Sequence, residues 1–205
     1  IVNDCSKDNT EEAVQNYKAA NPDLPITYFK HEVNMGKGAA LHTGIRIATG
    51  DFVIIQDADL EYDPEDYNPL LQWVIENNAK VVYGSRFLKP SNKHSYLRFY
   101  LGGRLVTFVT NLLYGQHLTD EPTCYKFFDA QFLKSIPLKC QGFEFCPEVT
   151  AKVCKQGIKI HEIPINYYPR SIAEGKKINW KDGLEAIWTL LKYRFNYNKT
   201  RFYRG

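Results

Sequence analysis

Two aspartates, Asp57 and Asp59, follow the apolar run Phe52-Val53-Ile54-Ile55 after one intervening residue, Gln56. The run predicts a buried strand, and residues i and i+2 of an extended segment point to the same side. Open α/β sheets bind ligands at the carboxyl ends of such strands. The two carboxylates would repel each other there unless a proton or a cation lies between them. Glu61 continues the spacing, so three side chains could converge on one Mg²⁺ or Mn²⁺ ion bridging a diphosphate; solvated turn acids are the alternative.

Basic side chains are predicted near these acids. Lys37 lies in Asn34-Met35-Gly36-Lys37-Gly38-Ala39-Ala40, a glycine-rich turn that enters a helix. Backbone N–H groups and the positive end of a helix dipole suit a phosphate or an acidic partner, and a tight turn without a ligand is the alternative. Arg86 ends the next predicted strand. Its planar guanidinium could bind a phosphate or form a salt bridge with Asp57 or Asp59.

Four further side chains could take part in a reaction. Asp120 follows a long predicted helix and is either a loop cap or a general base, and Glu144 begins another helix as a capping acid or an active-site carboxylate. Arg170 follows a short predicted strand at residues 163–165. Lys177 belongs to a basic loop of a kind that often closes over phosphates, with a solvated charge run as the alternative.

Strands and helices alternate through the first half of the chain. Apolar periodicity and turn residues predict helices at residues 10–20, 39–49 and 64–77 and strands at residues 26–29, 52–55 and 81–84. This alternation predicts an α/β fold with a mainly parallel sheet and helices on its faces. Residues 96–114 and 180–195 predict two amphipathic helices with basic residues among aromatics. Such helices suit a membrane surface; packing on the sheet, or on another subunit in a homo-oligomer, is the alternative.

The bulk properties fit one globular domain of 205 residues that is 44% hydrophobic. The net charge of +3 is too small to predict nucleic-acid binding, but basic residues cluster at residues 86–104 and after residue 170, which favours local anion binding. Five cysteines without zinc-site spacing predict reduced thiols in a cytoplasmic protein. We expect no bilayer span and no signal peptide. Ile1-Val2 resembles the end of a strand, which predicts that a first βα unit is missing.

The order of these motifs resembles the family 2 glycosyltransferases with the Rossmann-like GT-A fold, in particular the polyprenyl-phosphate (dolichyl-phosphate) hexosyltransferase branch. Asn3 and Cys5 depart from the usual VDDGSxD turn, and Glu61 stands where the branch often has Gln. The motifs that carry the resemblance are Val2-Asn3-Asp4-Cys5-Ser6-Lys7-Asp8, Asn34-x-Gly36-Lys37-Gly38, Asp57-Ala58-Asp59-Leu60-Glu61, Tyr83-Gly84-Ser85-Arg86, Thr119-Asp120-x-x-Thr123-Cys124-Tyr125-Lys126, Phe143-Glu144-x-x-Pro147-Glu148 and Glu162-Ile163-Pro164-Ile165.

The resemblance implies an inverting transferase that moves a hexose from a UDP- or GDP-sugar with the help of Mg²⁺ or Mn²⁺. Residues 1–90 would form the nucleotide-sugar half and residues 91–205 the acceptor half of a single domain. The expected catalytic residues are Asp57, Asp59, Asp120 and Arg86, and the expected metal ligands are Asp57, Asp59 and Glu61. Nucleotide-sugar contacts are expected from Asp4, Lys37, Asp57 and Asp59, and acceptor-phosphate contacts from Arg86, Arg98, Arg104, Arg170 and Lys177.

The expected acceptor is a polyprenyl phosphate at the cytoplasmic face of a membrane. The second pKa of a phosphomonoester is about 6, so its dianion can attack C1 of the sugar without a strong base. A sugar or protein hydroxyl acceptor is the alternative, and it would require Asp120 or Glu144 as a general base. A non-catalytic nucleotide-sugar-binding domain is a third interpretation.

Overall fold

The computed structural model describes residues 1–93, 96–170 and 180–195, and it confirms the α/β class. In chain order, its elements are β1 (Val2–Asn3), α1 (Thr10–Ala20), β2 (Phe29–Lys30), α2 (Lys37–Ile47), β3 (Phe52–Ile54), a 3₁₀ turn (Pro64–Asp66), α3 (Tyr67–Glu76), β4 (Val81–Ser85), α4 (Leu97–Tyr114), β5 (Lys126–Asp129), α5 (Ala130–Ser135), α6 (Phe145–Lys155), β6 (His161–Pro164) and α7 (Trp180–Phe195). The predicted segments are therefore present, with small shifts at their ends. The largest shift is at β2, because Ile26 N donates to Leu24 O within a turn instead of joining the strand.

The main sheet has the strand order β3-β5-β4-β6. β4 and β6 are parallel, whereas β5 runs antiparallel to both β3 and β4, so three of these four strands point the same way. β1 and β2 form a separate parallel pair. The sequence did not predict β5, and its insertion separates β3 from β4. The sheet also combines strands from both predicted halves of the chain.

The hydrophobic core surrounds β4, whose five residues are all buried. Leu70 and Val74 of α3 cover one part of it, with exposed fractions of 0% and 2%. Their spacing of four residues places both on one face of the helix. Complete burial of such side chains stabilises the fold by about 1.5–3 kcal/mol each. This core fixes the carboxyl end of β4, where Ser85 and Arg86 lie.

Two ionisable side chains, Glu121 and Lys126, are buried where the chain enters β5. Glu121 and Lys126 are both fully buried, and Lys126 Nζ donates to the main-chain oxygen of Glu121 and lies 3.9 Å from the ring centroid of Tyr83. Neither carboxylate oxygen of Glu121 has a hydrogen-bond partner among the described residues. Burial raises the pKa of Glu121, although Lys126 and the nearby hydroxyl of Thr150 oppose that shift. No pattern in the sequence indicated that this loop packs inside the protein.

The two predicted amphipathic helices, α4 and α7, pack against each other through Val106 and Leu190. α7 is also tied to the rest of the molecule, since Tyr193 Oη donates to Glu148 Oε1 of α6 at 2.7 Å. Within the described ranges, no helix has both the length and the apolar content needed to span a bilayer. The outward faces of α4 and α7 expose large apolar side chains: Leu97, Leu101, Leu105, Phe108, Leu112, Trp180, Leu184, Trp188 and Phe195.

Candidate functional site

A cavity of about 640 Å³ lies at the carboxyl ends of β3 and β4 and extends between α4 and α7. Of the predicted site residues, it is lined by Lys37, Asp57, Asp59, Glu61, Arg86, Arg98 and Arg170. Asp4, Arg104 and Asp120 do not line it, and Lys177 lies outside the described residues. The structure therefore brings together most of the predicted donor and acceptor groups in one cavity.

Each aspartate of the acidic motif is paired with its own basic side chain. Lys37 Nζ lies 2.6 Å from Asp57 Oδ1 and donates to Asp57 Oδ2 at 2.8 Å. Arg170 donates from Nη2 to Asp59 Oδ2 at 2.6 Å. Each of these two carboxylates therefore has a basic side chain of the protein as a counter-ion. Lys37 comes from the glycine-rich turn and Arg170 from the segment after β6.

Glu61 holds the segment that carries Arg170. Its carboxylate is largely buried and accepts the backbone N–H of Arg170 at 2.9 Å, and its main-chain oxygen accepts the N–H of Tyr168 at the same distance. The hydroxyl of Tyr167 donates to the same carboxylate oxygen at 3.5 Å. These contacts fix Arg170 beside Asp59. A role for Glu61 as a metal ligand stays a prediction.

Asp57, Asp59 and Glu61 form an acidic corner of the cavity that keeps an excess of negative charge. Burial raises the pKa of Asp59, and the neighbouring charges of Asp57 and Glu61 add to that shift against the opposing effects of the Glu61 N–H and Arg170. Three carboxylates face two cations, which leaves one net negative charge. Among the residues that the structure describes, no group of three or more Asp, Glu, His or Cys could hold a metal. Mg²⁺ commonly uses one or two carboxylates together with substrate phosphates, so Asp57 and Asp59 fit such an ion.

Asp4 is the acidic partner of the glycine-rich turn. Its carboxylate accepts the N–H groups of Met35 at 2.9 Å and Gly36 at 2.8 Å and lies 2.7 Å from His31 Nδ1. A Cβ atom at Gly36 would lie only 2.4 Å from the main-chain oxygen of Gln141. The glycine is therefore required by backbone packing, and the two N–H groups are already used by a carboxylate of the chain. Contact between Asp4 and a nucleotide stays a prediction.

Asp4→Asn is expected to lower the free energy of unfolding by about 1–2 kcal/mol at neutral pH, because the amide cannot replace the carboxylate at three donors. Burial alone would raise the pKa of Asp4, but His31 and the Met35 and Gly36 N–H groups lower it below its ordinary value of 3.8. The stabilisation is therefore present above that value and is lost as the pH falls through the lower folded-state pKa. Urea unfolding between pH 3 and 7 measures the difference between the two proteins.

The difference in the free energy of unfolding between the wild type and Asp4→Asn should stay constant above about pH 5 and shrink below about pH 4. Asp23→Asn, at an exposed loop position, is the matched control and should follow the wild-type curve throughout. A difference that persists undiminished at pH 3 would contradict the assigned role of the Asp4 charge.

Arg86 pairs with Asp120 rather than with the acidic motif. Asp120 is fully buried and accepts three hydrogen bonds from Arg86: from the backbone N–H at 2.9 Å, from Nε at 2.7 Å and from Nη2 at 2.7 Å. Because β5 lies between β3 and β4, the carboxyl end of β4 is not adjacent to Asp57. Glu162 accepts the N–H groups of Thr119 and Asp120 and so fixes this loop. In the sequence, Glu162 was marked only by its place in the motif Glu162-Ile163-Pro164-Ile165.

The remaining candidates occupy the edge of the site. The Arg98 guanidinium carbon lies 4.9 Å from the ring centroid of Phe99 at the exposed start of α4. Arg104 donates to Thr119 O at 3.0 Å, and its guanidinium carbon lies 5.4 Å from the ring centroid of Phe87, which lines the cavity, although Arg104 itself does not. Glu144 accepts the N–H groups of Gln141 and Gly142 and thus caps the turn before α6. Of the predicted acceptor arginines, Arg86, Arg98 and Arg170 share the cavity.

The chain matches the sequence model of glycosyl transferase family 2 over residues 1–136. It is 32% identical over 196 residues to the UDP-N-acetylglucosamine–dolichyl-phosphate N-acetylglucosaminyltransferase of Methanococcus voltae, a match that covers 87% of this chain and 78% of that protein. It is also 32% identical over 199 residues to a dolichyl-phosphate beta-glucosyltransferase of Trichomonas vaginalis, covering 94% of this chain and 59% of that protein.

A solved structure shares the arrangement of helices and strands. Glucosyl-3-phosphoglycerate synthase from Mycobacterium tuberculosis, crystallised with Mn²⁺, UDP-glucose and phosphoglyceric acid, aligns with a TM-score of 0.62 and 18% identity, covering 94% of this chain and 67% of that one. At this identity the likeness is one of fold. The comparison therefore concerns the fold, and the chemistry of the acidic corner and the arginines follows from their own geometry.

Proposed function

Because this chain belongs to glycosyl transferase family 2 and has the GT-A fold, we propose that it transfers a hexose from a nucleotide diphosphate sugar to a polyprenyl phosphate. Both relatives cited above act, by their names, on dolichyl phosphate. The observation that carries the proposal is the composition of one cavity. Asp57 and Asp59 line it together with Arg86, Arg98 and Arg170, so groups suited to a metal-bound diphosphate share the cavity with groups suited to a second phosphate.

The donor would bind at the acidic corner. Asp57 and Asp59 would hold Mg²⁺ or Mn²⁺, which supplies positive charge for the leaving diphosphate when it is bound. Lys37 would supply a further positive charge there, since its Nζ already lies within 2.8 Å of both oxygens of Asp57. Asp4 would act indirectly by holding the turn that presents Lys37.

The acceptor phosphate would react without transferring a proton. One oxygen of its dianion forms a bond to C1 of the sugar while the bond from C1 to the diphosphate oxygen breaks, and that electron pair leaves with the nucleoside diphosphate. Attack from the side opposite the leaving group inverts the configuration at C1. Arg86, Arg98 and Arg170 would hold the attacking phosphate, whose charge they match.

The positions of Asp120 and Glu144 favour a phosphate acceptor over a hydroxyl acceptor. A hydroxyl would need a general base within hydrogen-bond reach of its proton. Asp120 is fully buried and bonded to Arg86, and Glu144 accepts backbone N–H groups of its own turn. Both carboxylates are thus occupied by contacts within the protein.

Peripheral association with the cytoplasmic face of a membrane is part of the proposal. α4 exposes Leu101 and Phe108, and α7 exposes Trp180 and Trp188, each by more than half of its surface. Leucine and tryptophan on one face of a helix enter the interface between headgroups and acyl chains, and nearby cations such as Arg98 meet anionic headgroups. This surface would bring the site to a lipid-linked acceptor.

The test uses radiolabelled UDP- and GDP-sugars with polyprenyl phosphate in detergent micelles, in the presence of Mn²⁺, Mg²⁺ or EDTA. We expect label to enter the organic phase with one donor and to stay in the aqueous phase with EDTA. Thermal shift with the same donors measures binding separately. Metal-dependent binding without lipid labelling would favour the hydroxyl acceptor, and the absence of binding would favour the non-catalytic interpretation.

A further inference from the structure

We propose that the isoprenoid segment next to the acceptor phosphate is held by the protein in a groove between α4 and α7, an inference that rests on the proposed function. This α4–α7 groove is the part of the cavity lined by Gly102, Gly103 and Val106 of α4 and by Gly183, Leu184 and Ile187 of α7. The occupant is one molecule whose phosphate faces the arginines and whose first isoprene units lie between the helices.

The two ends of the cavity differ in chemistry in the way that such a molecule does. One end carries Asp59, Arg86 and Arg170, whereas apolar and glycine residues of α4 and α7 form most of the other, together with Asp182. Arg98, which is exposed at the start of α4, also lines the cavity, with its guanidinium over the ring of Phe99. A compact phosphate ester would fill only the charged end, and a neutral lipid would offer no anion to Arg98. A polyprenyl phosphate is complementary to both ends.

Two glycines within the helices keep the groove open. Gly102 and Gly183 lie inside α4 and α7, where glycine is less favourable than alanine. A Cβ atom at either position would meet no atom within 4 Å. Neither glycine is thus required by close packing, in contrast to Gly36, and a larger side chain at either position would project into open space beside the cavity. Because they have no side chains, Gly102 and Gly183 leave the groove wider than any other residue would.

The groove leads to the exposed apolar faces of the same two helices. Leu105 is 53% exposed and Leu184 is 57% exposed, and both also line the cavity. Leu101 and Trp188 continue these faces outward with exposed fractions of 55% and 65%. An isoprenoid chain could therefore pass from a lipid environment to the arginines along apolar surface without crossing water. This continuity distinguishes the groove from a closed pocket for a small acceptor.

Leucine substitutions test this assignment with farnesyl phosphate, a soluble acceptor with three isoprene units. Gly102→Leu and Gly183→Leu are expected to raise the KM for farnesyl phosphate by about tenfold or more, because the added side chains occupy the space of the chain. Calorimetric Kd values for UDP- or GDP-sugar with Mn²⁺ should not change. Glu185→Leu adds the same side chain to an exposed position of α7 outside the groove and should leave both quantities unchanged.

Photo-crosslinking provides a readout that does not depend on turnover. A benzophenone-bearing farnesyl phosphate should label peptides of α4 or α7 in the wild-type protein, with labelling reduced by Gly183→Leu and by competing farnesyl phosphate but not by ethyl phosphate or farnesol. Labelling elsewhere, or unchanged KM values in both glycine variants, would overturn the groove while leaving the transfer reaction intact. Dimers that dissociate on Gly183→Leu would assign the groove to a second copy. If wild-type protein glycosylates no polyprenyl phosphate, the proposed function itself fails.

Discussion

Asp120→Asn is expected to lower the free energy of unfolding by about 3 kcal/mol, because it leaves the Arg86 guanidinium without its counter-ion in a largely buried site. The carboxylate is fully buried, and the Arg86 side chain is 18% exposed. Glu11→Gln is the matched control, since it breaks the Lys30–Glu11 pair, whose side chains are 40% and 46% exposed, and it should have little effect. Urea unfolding followed by circular dichroism measures both.

A double variant separates the effect of the Arg86–Asp120 pair on stability from its effect on sugar transfer. Arg86→Met combined with Asp120→Leu removes both charges, and apolar side chains of similar volume should restore much of the stability that the single variant loses. Transfer to polyprenyl phosphate should stay low in the double variant, because Arg86 no longer presents a guanidinium to the cavity. Recovery of transfer together with stability would show that Arg86 and Asp120 serve the fold alone. Wild-type stability of Asp120→Asn with transfer abolished would instead revive Asp120 as a general base.

The acidic motif could be located from the sequence because its geometry is local. An apolar run followed by Asp57-Ala58-Asp59 predicts a strand and its end within a few residues, and both aspartates line the cavity. The amphipathic helices were equally predictable, because the periodicity of α4 and α7 is contained in each segment. The structure places these elements close to the predicted bounds.

The partners of the charged groups could not be predicted because they are distant in the chain. The hydrogen bond from Arg170 to Asp59 joins residues that are 111 positions apart in the sequence, and the bond from the Gly36 N–H to Asp4 joins residues 32 positions apart. β5 is only four residues long and has charged residues at both ends, so its pattern did not indicate a strand. Because β5 lies between β3 and β4, Arg86 at the end of β4 pairs with Asp120 rather than with the acidic motif. Tertiary pairing, rather than local propensity, assigns these contacts.

Asp59→Asn is expected to reduce metal-dependent sugar transfer by about 100-fold or more, the effect typical of removing one group that stabilises charge in a transition state. The substitution removes the anionic oxygen proposed to bind the metal and also releases the Arg170 guanidinium, which lies 2.6 Å from Asp59. Initial rates of sugar transfer at several Mn²⁺ concentrations measure the loss of metal-dependent activity. The thermal shift produced by UDP or GDP with Mn²⁺ should shrink in parallel, since the nucleotide binds together with the ion.

Glu61→Gln is the matched substitution, because it removes one negative charge from the same cluster without touching Asp57 or Asp59. If Glu61 only holds the backbone of Arg170, this variant should raise the KM for the lipid phosphate while the dependence on Mn²⁺ stays as in the wild type. If Glu61 binds the ion, its Mn²⁺ dependence should instead weaken as in Asp59→Asn. An unchanged metal response in both variants would contradict the assignment of the acidic corner to a divalent cation, and Lys37 and Arg170 would then be the counter-ions of Asp57 and Asp59.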